Sequence, residues 1–170
     1  MKNYFLTTAR LGFSHWEYSD LELAYSLWGD TTVTRYISAN GVFSKEQVAD
    51  RLYKEINMQK EFQVQYWPLF NLESEGFIGC CGLRPYDREQ NIYEIGIHLK
   101  SDTWGSGYAS EAANAVINYA FEILKAENIF AGHNPQNIGS SNLLKKLGFT
   151  YSHNEFYEPT GLDHPSYFYK

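Results

Sequence analysis

The chain has 170 residues, enough for one domain with a real core, and its 44% hydrophobic and 20% charged residues exclude a disordered or fibrous protein. A net charge of −6 with no block of lysine or arginine argues against nucleic acid and anionic membrane as partners, and suits a cationic, amine-bearing substrate. The N-terminus, MKNYFLTTARLGF, lacks the apolar run of a signal peptide or membrane span, which makes the cytoplasm the expected compartment.

In chain order, residues 10–15 alternate apolar with polar and predict a strand. Ser19 is placed to cap a helix over residues 20–28, with Gly29 as its stop. Residues 31–38 fit more than one state, and Asn40-Gly41 marks a turn. Ser44 with Gln47 forms a capping box, opening a helix to about Lys60 that carries Val48, Leu52 and Ile56. Residues 62–71 and 76–84 read as two strands joined by a hairpin turn, and residues 85–91 form a second turn. The following strand, residues 92–100, alternates: Ile95, Ile97 and Leu99 face one way, Glu94, Gly96, His98 and Lys100 the other. After the loop Trp104-Gly105-Ser106-Gly107 comes a long helix, whose apolar stripe includes Ala113, Val116 and Ala120 and extends to Ile123 and Leu124. A strand over 129–133, a helix over 140–147 stopped by Gly148, and strands near 151–157 and 166–169 finish the chain. The order is mixed α/β without the alternation of a doubly wound sheet or a barrel, in a single domain spanning residues 1–170.

Cys80 and Cys81 are adjacent, so they neither staple distant segments nor match metal-site spacing; one is expected in the core and the other toward a cleft. No metal is expected. The glycine loop runs from a strand into a helix, where φ > 0 and the unpaired N–H groups of the first turn make a phosphate site. A Walker loop is excluded because no Gly-Lys is present. A dinucleotide fingerprint fails because no acid follows to hold a ribose, which also removes an oxidoreductase reading.

The run from Trp104 through Gly105, Ser106, Gly107, Tyr108, Ala109 and Ser110 to Ala112 resembles the acetyl-CoA pyrophosphate loop of the GNAT superfamily of N-acetyltransferases. The branch it resembles most includes the ribosomal-protein N-terminal acetyltransferases. The downstream run from His133 to Ser140, and Leu144-Lys145-Lys146-Leu147-Gly148-Phe149, are similar to the family's second signature, while Thr8-Ala9-Arg10-Leu11 resembles its opening strand. The resemblance covers nearly the whole chain and implies a GNAT-like acyl-CoA N-acyltransferase fold: a central, mostly antiparallel twisted sheet, flanked by helices and splayed in the middle. It departs from the pattern at Asp102, where a cation near the phosphates is usual, and at Leu144, where many relatives carry a tyrosine that protonates the leaving thiolate.

What the resemblance implies for chemistry is acetyl transfer from acetyl-CoA, as cosubstrate, to a primary amine by direct transfer in a ternary complex. The acceptor is a protein or peptide N-terminal α-amine or a small-molecule amine, and the protein a monomer or homodimer. Glu94 is the expected base, with His98 as the alternative base or a neighbour of the cofactor. Backbone N–H groups at Ile97, His98 and Leu99 are expected to polarise the carbonyl and pair with pantetheine. Ser140 is expected to donate to the departing sulfur, to cap its helix, or to do both. Asn137 and Asn142 are expected at the cofactor, Lys145 at phosphate or in solvent, and Trp104 and Tyr108 beside the cofactor or packed under the loop, packing being the expectation for Trp104. Tyr36, Phe43, Tyr53, Tyr66 and Trp67 are candidates to line the acceptor cleft. The rival reading is a catalytically silent CoA-binding sensor or scaffold, suggested by Asp102 and Leu144.

Overall fold

The computed structural model describes residues 2–169. The chain begins with a hairpin of β1 (Leu6–Thr7) and β2 (Leu11–Phe13). Three helices follow: α1 (Leu21–Trp28), α2 (Thr31–Thr34) and α3 (Lys45–Phe62). Then come β3 (Tyr66–Asn71), β4 (Phe77–Asp87) and β5 (Ile92–Leu99). Helix α4 (Tyr108–Glu122), strand β6 (Asn128–Gly132) and helix α5 (Ile138–Leu147) lead to the closing hairpin, β7 (Thr150–Tyr157) and β8 (Leu162–Phe168).

The local signals explain most boundaries. Ser44 Oγ accepts from Gln47 N at 3.1 Å while Gln47 Oε1 accepts from Ser44 N at 2.8 Å, so both halves of the capping box form at α3. Gly148, at φ +97°, ends α5 in the left-handed region that glycine enters without strain. Ser19 does not cap α1; a 3-10 turn over Tyr18–Asp20 precedes it, and Asp20 occupies the cap position. Helix α3 runs through Phe62 and delays β3, while β4 continues through Pro85 to Asp87. Ile123 lies beyond α4 and is exposed, so the apolar stripe ends earlier than its sequence suggests.

The eight strands form one sheet in the order β1-β2-β3-β4-β5-β6-β8-β7. Every registered pairing is antiparallel except β5 with β6. Helices α4 and α5 cover one face, burying Leu69, Cys81, Leu83, Ile95 and Ile129 with Ala113 and Val116. Helices α1 and α3 cover the other, burying Trp28, Leu52 and Ile56 against Tyr66 and Cys80. The two cysteines therefore do take opposite faces, but both faces are covered: each thiol is fully buried, neither opens on a cleft, and burial pushes both pKa values up.

At its N-terminal end β3 projects past β2, whose last partner is Leu69 opposite Phe13. The backbone groups exposed there are satisfied by side chains. Tyr66 N donates to Glu55 Oε1 at 2.9 Å, and Trp16 Nε1 donates to Tyr66 O at 2.7 Å. Gln65 Nε2 donates to Glu55 O at 2.9 Å, and Trp16 N donates to Gln65 Oε1 at the same distance. This network anchors α3 to the sheet and delivers the Glu55 carboxylate beneath it.

Candidate active site

Strands β5 and β6 pair through only three rows: Ile92 with Asn128, Tyr93 with Ile129, and Glu94 with Phe130. Beyond Glu94, β5 continues beside β4 to Leu99, while β6 turns away to pair with β8. The sheet thus splits at Glu94. Both strands run toward the split end, and each leads there into the N-terminus of a helix, α4 after β5 and α5 after β6. Crevices at the carboxyl ends of parallel strands are where open α/β sheets hold ligands.

The backbone of β5 decides which groups face the split. Lys100 N donates to Ile78 O on β4 at 2.9 Å. In an antiparallel ladder this direction alternates, so Gly96 and His98 also point their backbone groups into β4, whereas Ile97 and Leu99 point theirs into the opening. Leu99 O is taken by Trp104 Nε1 at 3.0 Å. The main-chain N–H groups of Ile97 and Leu99 are left facing the gap; that of His98 is not, which corrects its expected place in the backbone set.

The glycine loop has the conformation its sequence requires. Gly105 and Gly107 lie at φ +82° and +81°, and Gly107 is the cap residue of α4. The N–H groups of Ser106, Gly107 and the first turn of α4, with Tyr108, Ala109 and Ser110, carry the positive end of the helix dipole, worth about 0.3–1 kcal/mol per anionic contact. This donor set fits a pyrophosphate. Arg10, from the β1–β2 turn, tethers the loop. Its Nη1 donates to Ser106 O at 2.9 Å, its Nε pairs with Glu111 Oε1 at 2.7 Å, and its guanidinium lies 4.4 Å from the Tyr108 ring centre. Thr8 Oγ1 also donates to Glu111. Arg10, its charge matched by Glu111, thus braces the loop, a contact the sequence did not suggest because the two segments lie 96 residues apart. Tyr108 is fixed by packing, its hydroxyl accepting from Asn71 Nδ2 at 3.2 Å. Trp104 is not packed under the loop; it is 52% exposed and held by its bond to Leu99.

On the far side of the split, Asn137 caps α5: its Oδ1 accepts from Ser140 N at 3.1 Å. The capping reading of Ser140 is therefore replaced, and its hydroxyl is left free of that duty in the first turn. The Asn137 amide N–H groups remain available as donors. Asn142 and Lys145 are exposed on α5, and Leu144 is buried in the core against α4.

Glu94 stands where the split begins, half-buried, across from Arg84 on β4 and beside Phe130 on β6. Burial raises its pKa above the ordinary carboxylate value, Arg84 opposing the rise and Glu155 adding to it. His98, on the same face, is not a base. Trp28 Nε1, which can only donate, gives its hydrogen to His98 Nδ1 at 3.0 Å, so the imidazole is the Nε2–H tautomer. Burial and the cations Arg51 and Arg84 push its pKa well down and keep it neutral. Arg84 Nη2 pairs with Glu55 Oε2 at 2.6 Å and its guanidinium covers the Tyr66 ring at 4.2 Å. Gly96 exists for that ring: a Cβ there would meet Tyr66 Cζ at 2.3 Å. Of the other aromatic candidates, Phe43 packs on this face near Arg51, Tyr53 is exposed against Tyr18, and Trp67 lies in the opposite core. Among the described residues no three His, Cys, Asp or Glu side chains gather as metal ligands do, and no helix is long and apolar enough to cross a membrane.

These features coincide with a known architecture. Residues 10–150 match the family model described as an acetyltransferase (GNAT) domain. The chain is 32% identical over 144 residues, 85% of its length and 81% of the relative's, to the uncharacterized N-acetyltransferase p20 of Bacillus licheniformis. It is likewise 32% identical over 143 residues, 84% and 81% of the two chains, to the uncharacterized N-acetyltransferase YnaD of Bacillus subtilis (strain 168). Its fold superimposes on a GNAT-family acetyltransferase from Bacillus anthracis with TM-score 0.81, 24% identity and coverage of 96% and 95%. It also superimposes on RimL, a ribosomal L7/L12 alpha-N-protein acetyltransferase, with TM-score 0.83, 13% identity and coverage of 99% and 94%; RimL is also known in complex with coenzyme A. The split sheet, the glycine-capped helix and the matched sequence agree: the chain belongs to the GNAT family of acetyltransferases.

Proposed function

We propose that the protein transfers the acetyl group of acetyl-CoA to a primary amine by direct attack within a ternary complex. The observation that carries this is the position of Glu94 at the last paired row of β5 and β6, at the head of a split from which each strand leads on into a helix N-terminus. Acetyl-CoA supplies a thioester, activated for acyl transfer. The main-chain N–H groups of Gly105 to Ser110, with Arg10 behind them, hold the pyrophosphate; Asn137 and the β5 edge at Ile97 and Leu99 hold the pantetheine, and Asn142 flanks it. Glu94 takes a proton from the acceptor ammonium, directly or through one water, freeing the neutral amine that attacks, while the Ile97 N–H stabilises negative charge on the carbonyl oxygen. Ser140 donates to the departing sulfur in place of the tyrosine that Leu144 displaces. Direct transfer is supported by the burial of both cysteines, which leaves neither thiol exposed to accept an acyl group.

The test is release of free thiol from acetyl-CoA on incubation with peptides, amino acids, polyamines and aminoglycosides. Initial-rate lines that intersect are expected; parallel lines would indicate an acyl-enzyme. Tight acetyl-CoA binding without turnover across the whole set would support the silent CoA-binding module instead.

A further inference from the structure

We propose that Arg51 and Arg84 form an anion subsite on the acceptor side of Glu94, and that the acceptor is a small amine carrying a carboxylate, of the amino acid class. This rests on the acetyl-transfer reading and names its substrate class. Both arginines belong to the face that α1 and α3 cover, the face Glu94 shares. Arg84 is the cross-strand partner of Glu94, so the two side chains rise next to one another. Arg51, on α3, lies 5.0 Å from the Trp28 ring centre and 5.7 Å from that of Phe43, and Trp28 holds His98 on this same face.

The ion pairs on this face are unevenly shared. Glu55 answers Arg84, and its other oxygen is occupied by Tyr66 N. Glu155 Oε1 is held by Tyr86 and His153. Among the described residues no carboxylate lies within ion-pair distance of Arg51, and the buried Nε atoms of Arg51 and Arg84 have no hydrogen-bond partner. Lys54 adds a further cation nearby: Arg84 first, then burial and Arg51, lower its pKa. Arg84 has the Glu55 carboxylate against it and Glu94 across the strand, whereas Arg51, set between the Trp28 and Phe43 rings, has no counter-ion of its own. Unpaired buried charge is unfavourable until a counter-ion arrives. A single carboxylate gives Arg51 the counter-ion it lacks and matches a guanidinium fork, while a polyamine or aminoglycoside would be repelled. The overall charge of the chain therefore points the wrong way about its acceptor.

The experiment compares amino acids with their carboxamides and with aminoalkyl phosphonates, following thiol release. The kcat/KM for the carboxylate is expected to exceed that of its carboxamide about tenfold or more. In Arg51→Met that ratio collapses toward one while the KM for acetyl-CoA stays unchanged; Arg51→Lys, which keeps the charge and secures the test if the methionine variant fails to fold, retains part of it. Equal turnover of acid and amide, or a preference untouched in Arg51→Met, overturns the subsite while leaving acetyl transfer standing. A preference for the phosphonate overturns the carboxylate assignment. If no amine is turned over, thermal stabilisation by amino acids but not by their carboxamides, lost in Arg51→Met, still supports the subsite, and its absence overturns it.

Discussion

Glu94 is held between two demands. A base must be ionised to work, yet burial raises its pKa, with Arg84 opposing and Glu155 reinforcing. The acid limb of the rate profile should therefore lie above the ordinary carboxylate range, the rate falling as pH drops through the raised value. Stability moves the opposite way. With the folded pKa above the unfolded one, the contribution of this carboxyl is fully present below the unfolded value and is lost as pH rises through the folded one. Glu94→Gln should then lower kcat by about 10²-fold or more, leave acetyl-CoA binding intact, and raise Tm slightly at neutral pH. Thermal melts beside pH–rate profiles check both; a variant that loses Tm and activity together would mark Glu94 as structural. Strand alternation made the face of Glu94 legible, and its proposed role as base came from the resemblance. The neutrality of His98 was not, because its tautomer is set by Trp28, 70 residues away.

Among the elements, those governed by adjacent residues were readable and those completed from a distance were not. The capping box of α3 and the glycine stop of α5 depend on neighbours in sequence, and both form as the pattern implies. The β1–β2 hairpin has few residues per strand and is defined by its partner β3, so only β2 left a signal. The cap of α5 fell to Asn137 rather than Ser140 because the helix starts earlier than its apolar pattern. The glycine loop was legible as a motif; its fastening by Arg10 was not. Gly107→Ala places a Cβ at φ +81°, a strain of about 1–2 kcal/mol, and should raise the KM for acetyl-CoA roughly tenfold with little change in the KM for amine. Arg10→Ala should act in the same direction without the backbone strain. Titration of acetyl-CoA by calorimetry distinguishes them from variants that act on chemistry alone.

Across the whole molecule, the α1–α3 face is fastened to the sheet by polar bonds running under an aromatic layer. Glu55 is its centre, fully enclosed and bonded to both Tyr66 N and Arg84. Glu55→Gln leaves the Arg84 charge uncompensated at a cost of about 3–5 kcal/mol, a fall in Tm of roughly 10 °C, readable by thermal melts. Two further bonds join this face to the cofactor end: Trp28 to His98, and Ser101 Oγ to Asp30 Oδ2 at 2.9 Å, the latter linking the residue that caps α2 to the turn entering the glycine loop. Occupancy at one end is therefore expected to alter affinity at the other. Whatever factor acetyl-CoA contributes to amine affinity, the amine must return to acetyl-CoA, since linkage is reciprocal. Ser101→Ala should bring that factor toward unity while each ligand, added singly, binds as before, so that the order in which the two partners arrive ceases to matter.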